Sequence, residues 1–177
     1  MNFNNFTIKS QEAVQEAVNL VQSRGQQAIE PEHLMAGLLK VGENVTNFIF
    51  QKLGINGQQI ETVLDRQITS LPKVSGGEAY LSRSANEVLQ KAVEVSKELG
   101  DEYVSLEALL LALLNVKSTV ATILKDAGLT DKELRAAIQE LRQGQKVTSQ
   151  SSEDTYQSLN TVSYTHLRAH ETLMNLV

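Results

Sequence analysis

The 177-residue chain carries a formal charge of −5, 41% hydrophobic residues and only 5% aromatics, with no Trp and no Cys. That charge offers no basic surface for nucleic-acid phosphates, and the cysteine count leaves neither a disulfide framework nor a thiolate metal site. The length suits one ordinary domain whose core is built from Leu, Val, Ile and Ala.

The N-terminus has no basic start followed by an apolar run, so no secretory signal is read and the cytoplasm is the expected compartment. Thr7 or Ser10 can cap a first helix carrying Ala13, Val14, Ala17, Val18 and Val21 inward, with Gly25 as its stop. Glu30-Pro31 opens a second helix holding Leu34, Leu38 and Leu39. A third carries Val45, Phe48 and Ile49 to Leu53-Gly54, and a fourth starts at Asn56 with Ile60, Val63, Leu64 and Ile68 inward. Leu71-Pro72 and Gly76-Gly77 then break the pattern as a hinge.

Beyond the hinge the same unit returns. Val88, Leu89, Ala92, Val93 and Val95 lead to Gly100, which lies 75 positions after Gly25. Residues 104–114 align without a gap on residues 29–39 at the same offset of 75. Residues 106–114 are apolar on nearly every side, which suits a central helix enclosed by others, and they are too short to span a bilayer. Val120, Ile123 and Leu124 end at Gly128, and Leu134, Ala137, Ile138 and Leu141 follow Thr130; here the offset is 74. Ser84-Ala-Asn-Glu87 and Thr130-Asp-Lys-Glu133 read as capping boxes. The sequence therefore predicts an all-α fold of about eight short helices, in two pseudo-repeated four-helix units at about 7–70 and 81–142, with no strands. The domain is expected to end at residue 143, followed by a flexible linker over 144–160 and a low-order tail over 161–177.

The doubled unit, Ile29-Glu-Pro-Glu-His-Leu-Met35 and Leu124-Lys-Asp-Ala-Gly128 resemble the N-terminal domain of the Clp family of AAA+ unfoldases over roughly residues 1–160. The resemblance implies a substrate-engaging domain of a disaggregase that binds unfolded or aggregated polypeptide. The alternative is an adaptor-docking domain of the ClpA or ClpC kind. It also implies a monomeric domain on a hexameric parent that hydrolyses ATP with Mg. The chain itself has no G-x-x-x-x-G-K-[ST] loop, so no cofactor and no catalytic residue is expected within it. From Thr161 onward the family pattern stops.

Three positions match residues that the family uses to engage polypeptide: Thr7, Asp101 and Glu107. From the residues alone they read as a helix cap, a turn residue after Gly100 and a first-turn acid, respectively. Leu89 and Val95 match positions lining the family's apolar groove, with Lys91 and Ala108 as less apolar neighbours; helical spacing alone would place such residues in the core. His166 and His170 are four apart, a spacing open to metal, but no third ligand accompanies them. His33 stands alone and reads as a surface or interhelical residue.

Overall fold

The computed structural model describes residues 2–154. The expected tail, His166, His170 and the last part of the expected linker lie outside the described residues. The elements are α1 (Ile8–Ser23), β1 (Ala28–Ile29), α2 (Pro31–Val41), α3 (Glu43–Leu53), α4 (Gly57–Ser70), β2 (Tyr80–Leu81), α5 (Arg83–Glu98), α6 (Leu106–Asn115), α7 (Thr119–Asp126) and α8 (Asp131–Arg142).

Local chemistry sets the helix ends. Thr7 Oγ1 accepts from Ser10 N–H at 3.1 Å, and Ser82 Oγ accepts from Ala85 N–H at 3.0 Å. These caps are 75 positions apart, so each repeat opens in the same way. The expected start at Ser84 moves back to Ser82, because the extended backbone of β2 ends there and the chain turns helical at once. Asn56, Ser105 and Thr130 cap α4, α6 and α8 as their sequences suggest. Gly54 ends α3 with φ 68°, in the left-handed region that glycine enters without a Cβ clash.

Helix α6 is buried at every residue from 106 to 114, as its unbroken apolar run requires. Within the repeats α1 packs along α2, and α5 along α6. The third helices reach across: α3 lies chiefly on α8, and α7 packs on α6 of its own repeat and on α2 and α4 of the other. The two pseudo-repeated four-helix units thus share one interleaved core. Val45 and Ile49 of α3, and Val120 and Leu124 of α7, are buried in it.

Two short parallel contacts, not anticipated from a pattern without period two, tie the repeats reciprocally. β1 pairs with β2 at Ile29–Leu81, and Phe6 bridges Val104. Leu81 lies 75 positions after Phe6, and Val104 lies 75 after Ile29, so one contact is the image of the other under exchange of the repeats. Ser82 N–H donates to Ile29 O at 3.0 Å, and Thr7 N–H to Val104 O at 3.0 Å. Both pairings use the extended residues before a helix, a stretch too short to show strand alternation. Among the described residues, no single helix is long and apolar enough to cross a membrane.

The chain also stays folded beyond residue 143, where the sequence places a flexible linker. Val147 is fully buried, Glu102 N–H donates to Val147 O at 2.8 Å, and Ile8 N–H donates to Gln150 O at 2.9 Å. Gln150 Nε2 donates to Asn4 O at 2.9 Å, which sets this segment beside the start of the chain. Polar composition gave no core-forming period, but these residues supply acceptors that nearby helix ends need.

Candidate functional site

Asp101, Glu107 and Thr7 come together around α8, inside the protein. Arg142 reaches Asp101 with two bonds, Nη1 to Oδ1 and Nη2 to Oδ2, each 3.0 Å, the paired geometry that suits a guanidinium and a carboxylate. Its Nε donates to Glu107 Oε1 at 3.2 Å and its Nη2 to Ser105 Oγ at 2.9 Å. The Arg142, Asp101 and Glu107 side chains are fully buried. Glu153 completes the cluster: its Oε2 accepts from Leu106 N–H at 2.5 Å, and its carboxyl lies against Glu107 and Thr7. Burial first, and then the neighbouring Glu107, push the Glu153 carboxyl well above the usual carboxylate range.

Sequence reasoning found three members of this cluster and missed two. Arg142 stands at the position equivalent to Ile68, an inward position of α4, and is the largest fully buried side chain among the described residues. The signal was there: position 142 follows Ile138 by four residues, on the face that turns inward. Glu153 was lost with the linker reading. Buried charge of this kind is held by its partners, so removing any one of them costs stability as well as any contact it makes with a ligand.

Leu89 and Val95 lie on the face of α5 that packs inward, and both are fully buried. Ala108 is also fully buried, while Lys91 is half-buried and sits 3.4 Å from Glu94. None of the three apolar side chains presents a groove surface in this structure. Their helical spacing places them in the core.

An open groove lies instead on the first repeat, with a volume of about 1280 Å³. Its lining includes Ala36 and Leu39 of α2, Leu20 of α1, Phe50 of α3, and Ile55 and Leu64 at the α4 side. Gly37 allows α2 to sit tight against α1, because a Cβ there would meet Ala13 O at 2.2 Å. The charged lining residues are Glu16, Glu43, Glu61 and Asp65 against Arg24 and Lys40, an acidic balance. Arg24 ties α1 to α4 through Asp65 at 2.5 Å and Thr69 at 3.0 Å. In the second repeat Arg135 of α8 grips Glu98 of α5 at 2.8 Å and Asp131 at 2.9 Å. The corresponding first-repeat residues, Glu61 and Ser23, carry no cation, and both line the groove. The resemblance places a groove on the second repeat, at Leu89 and Val95, and the sequence reads Leu39 with Leu34 and Leu38 as part of one inward face.

His33 is fully buried, between repeat hinge and core. Its Nδ1 accepts from Glu30 N–H at 2.9 Å, so Nε2 carries the proton and donates to Gln26 Oε1 at 2.7 Å. Gln26 Nε2 in turn donates to Ile68 O at 2.6 Å. Burial, aided by Arg24, lowers the His33 pKa to about 4.

The family model of the Clp repeat N-terminal domain matches residues 5–127. The chaperone protein ClpB of Bacteroides thetaiotaomicron is 80% identical over 159 residues, covering 90% of this chain but 18% of that protein. The matched region lies in the N-terminal domain and not in the ATPase module. Among solved structures, the Hsp104 N-terminal domain of Candida albicans superimposes with a TM-score of 0.74 at 23% identity, covering 84% of this chain and 99% of that one. A ClpV N-domain in complex with a VipB peptide gives a TM-score of 0.64 at 18% identity, covering 77% and 86%. These structural likenesses concern the fold. Interleaved repeats, reciprocal bridges and the matched sequence lead to one assignment: the chain belongs to the Clp repeat N-terminal domain family and is an N-domain of the ClpB-like chaperone kind.

Proposed function

We propose that this domain engages unfolded or aggregated polypeptide through the groove of the first repeat, as the substrate-engaging part of an ATP-driven disaggregase. The observation that carries the reading is the groove itself, large, lined in part by apolar side chains, with Glu43 and Glu61 left over once Arg24–Asp65 and Lys40–Glu16 are paired. It suits extended apolar segments flanked by basic residues. The solved complex of a ClpV N-domain with a peptide supports the idea that this fold can hold a polypeptide. On this reading the domain is a monomeric appendage of a hexameric parent in the cytoplasm, and ATP and Mg act in modules outside this chain. Thr7, Asp101 and Glu107 then act from within, by fixing the framework; direct contact with the client would require the cluster to open.

Affinity is expected to be weak. Burying about 400 Å² of apolar area at roughly 25 cal/mol per Å² gives on the order of 10 kcal/mol gross, set against association costs of about 4–15 kcal/mol. Micromolar or weaker binding results, useful when several copies act on one client. Titrating the chain with a reduced, alkylated and labelled unfolded protein tests this. Leu20→Glu and Leu39→Glu are expected to weaken binding about tenfold or more, since each places a charge on the apolar lining. Unchanged affinity in both removes the groove from the reading, and capture of one folded partner alone would favour adaptor docking.

A further inference from the structure

The ordered segment after α8 meets a need that neither repeat meets for itself. The first N–H groups of a helix have no partner within the helix. In α1 and α6 the caps Thr7 and Ser105 accept from the third residue, Ser10 and Ala108, at 3.1 Å each. The first residues, Ile8 and Leu106, donate instead to Gln150 O at 2.9 Å and Glu153 Oε2 at 2.5 Å. Residues 145–154 thus serve two helix starts at once. They also pass over the side of the charged cluster, where Val147 N–H donates to Asp101 Oδ1 at 3.1 Å.

We propose that residues 145–154 form a releasable strap, latched by Glu153 on the start of α6, that closes the Asp101–Glu107–Arg142 cluster and uncovers it on release. Almost all of the strap's hold is polar. Val147 is its buried apolar anchor, whereas its other contacts are mostly hydrogen bonds: the N–H groups of Glu102, Ile8 and Leu106 donate to it, and its own Val147 N–H and Gln150 Nε2 donate to Asp101 Oδ1 and Asn4 O. The core beneath is apolar and continuous without it, since residues 106–114 and the inward positions of α5 and α8 pack on one another. Release therefore exposes two carboxylates and a guanidinium while the helices stay folded.

The latch responds to protons. The groups around Glu153 are Glu107 from α6, Arg142 from α8 beyond it, Asp101 and Ser105 from the loop before α6, and the Thr7 and Ser10 hydroxyls from α1. Docked, Glu153 holds its proton more firmly than an exposed carboxyl does, because the site is dry and Glu107 is near. Docking therefore takes up a proton. It is strongest below the ordinary carboxylate range and weakens as pH rises through the higher docked value. The strap reading stands apart from the groove, so either can fail alone.

Amide hydrogen exchange on the 177-residue chain tests it, with Ile8, Glu102 and Leu106 reporting the strap and Leu110 and Leu113 reporting the core. Wild-type protection at the first three should fall with rising pH after correction for intrinsic exchange, while the core reporters hold. Glu153→Gln keeps the acceptor without the charge and should raise strap protection and flatten its pH dependence. Glu153→Ala should lower it about tenfold, the size of one lost helix cap, with the core unchanged. If all five amides lose protection together in Glu153→Ala, or if neither variant alters the strap amides, the latch is overturned.

Discussion

The two repeats share a backbone plan and differ in the chemistry of one buried corner. In the first repeat Gln26, His33 and the Ile68 carbonyl form a neutral chain of hydrogen bonds. In the second, the positions of Gln26 and Ile68 are taken by Asp101 and Arg142, and a full ion pair replaces the amide. Glu32 and Glu107 occupy the same place in their repeats and are both buried, but only the second has an arginine placed to receive it. The segment downstream of each repeat differs as well. The first repeat runs into a hinge that enters the second through backbone pairing, whereas the second is closed by a segment that brings its own carboxylate, Glu153.

The sharpest way to break this contrast is to make the second corner neutral on one side only. Arg142→Met is expected to cost about 3–5 kcal/mol in urea or thermal unfolding, because Asp101 and Glu107 stay buried without their cation. Asp101→Asn together with Arg142→Gln, which makes both partners of the pair neutral, should recover part of that loss. Next comes the pH response. His33 has a folded pKa of about 4 against 6.5 unfolded, so the unfolded chain binds more protons between these values. Stability should rise from pH 4 to about 6.5 and level off above, with a His33 contribution of about 3 kcal/mol. Urea titrations should show that slope in wild type and lose it in His33→Gln. Glu153 has the opposite sign, so the two corners pull stability in opposite directions along the pH axis.

Packing gives a third comparison. Gly37→Ala should destabilise by about 1–3 kcal/mol, since the added methyl strikes the α1 backbone, although alanine is the better helix former. Ala112 occupies the same position in the second repeat, so α5 and α6 already accommodate that methyl. The smallest effect is expected at Lys52–Glu140, an exposed pair at 2.7 Å linking α3 to α8. Lys52→Ala should change unfolding free energy by at most about 1 kcal/mol, and less in high salt.

Much of this was legible in the chain because it is local. The offset of 75, the Gly25, Gly54, Gly100 and Gly128 stops, and the caps at Thr7, Ser105 and Thr130 come from spacing and side-chain chemistry. The crossing of α3 and α7 was not legible, because each helix shows an apolar face without naming its partner. Arg142 was hidden by reading α8 for its apolar members alone, although its twin Ile68 marked the position as inward. Residues 145–154 are held by scattered hydrogen bonds to helix starts and loops and by the lone apolar Val147, and such contacts leave no period in the sequence. For the groove, sequence shows which residues are apolar but not where two helices part.

The contact of Gln150 with Asn4 makes the domain's beginning and its final described stretch neighbours. A circular permutant joining these two points by a short Gly-Ser bridge and opened at the Gly76-Gly77 hinge should therefore keep the fold. In the natural order, any chain continuing past residue 154 departs from that same corner. A pull on Asp154 would load the bonds at the starts of α1 and α6 before it reached the apolar core.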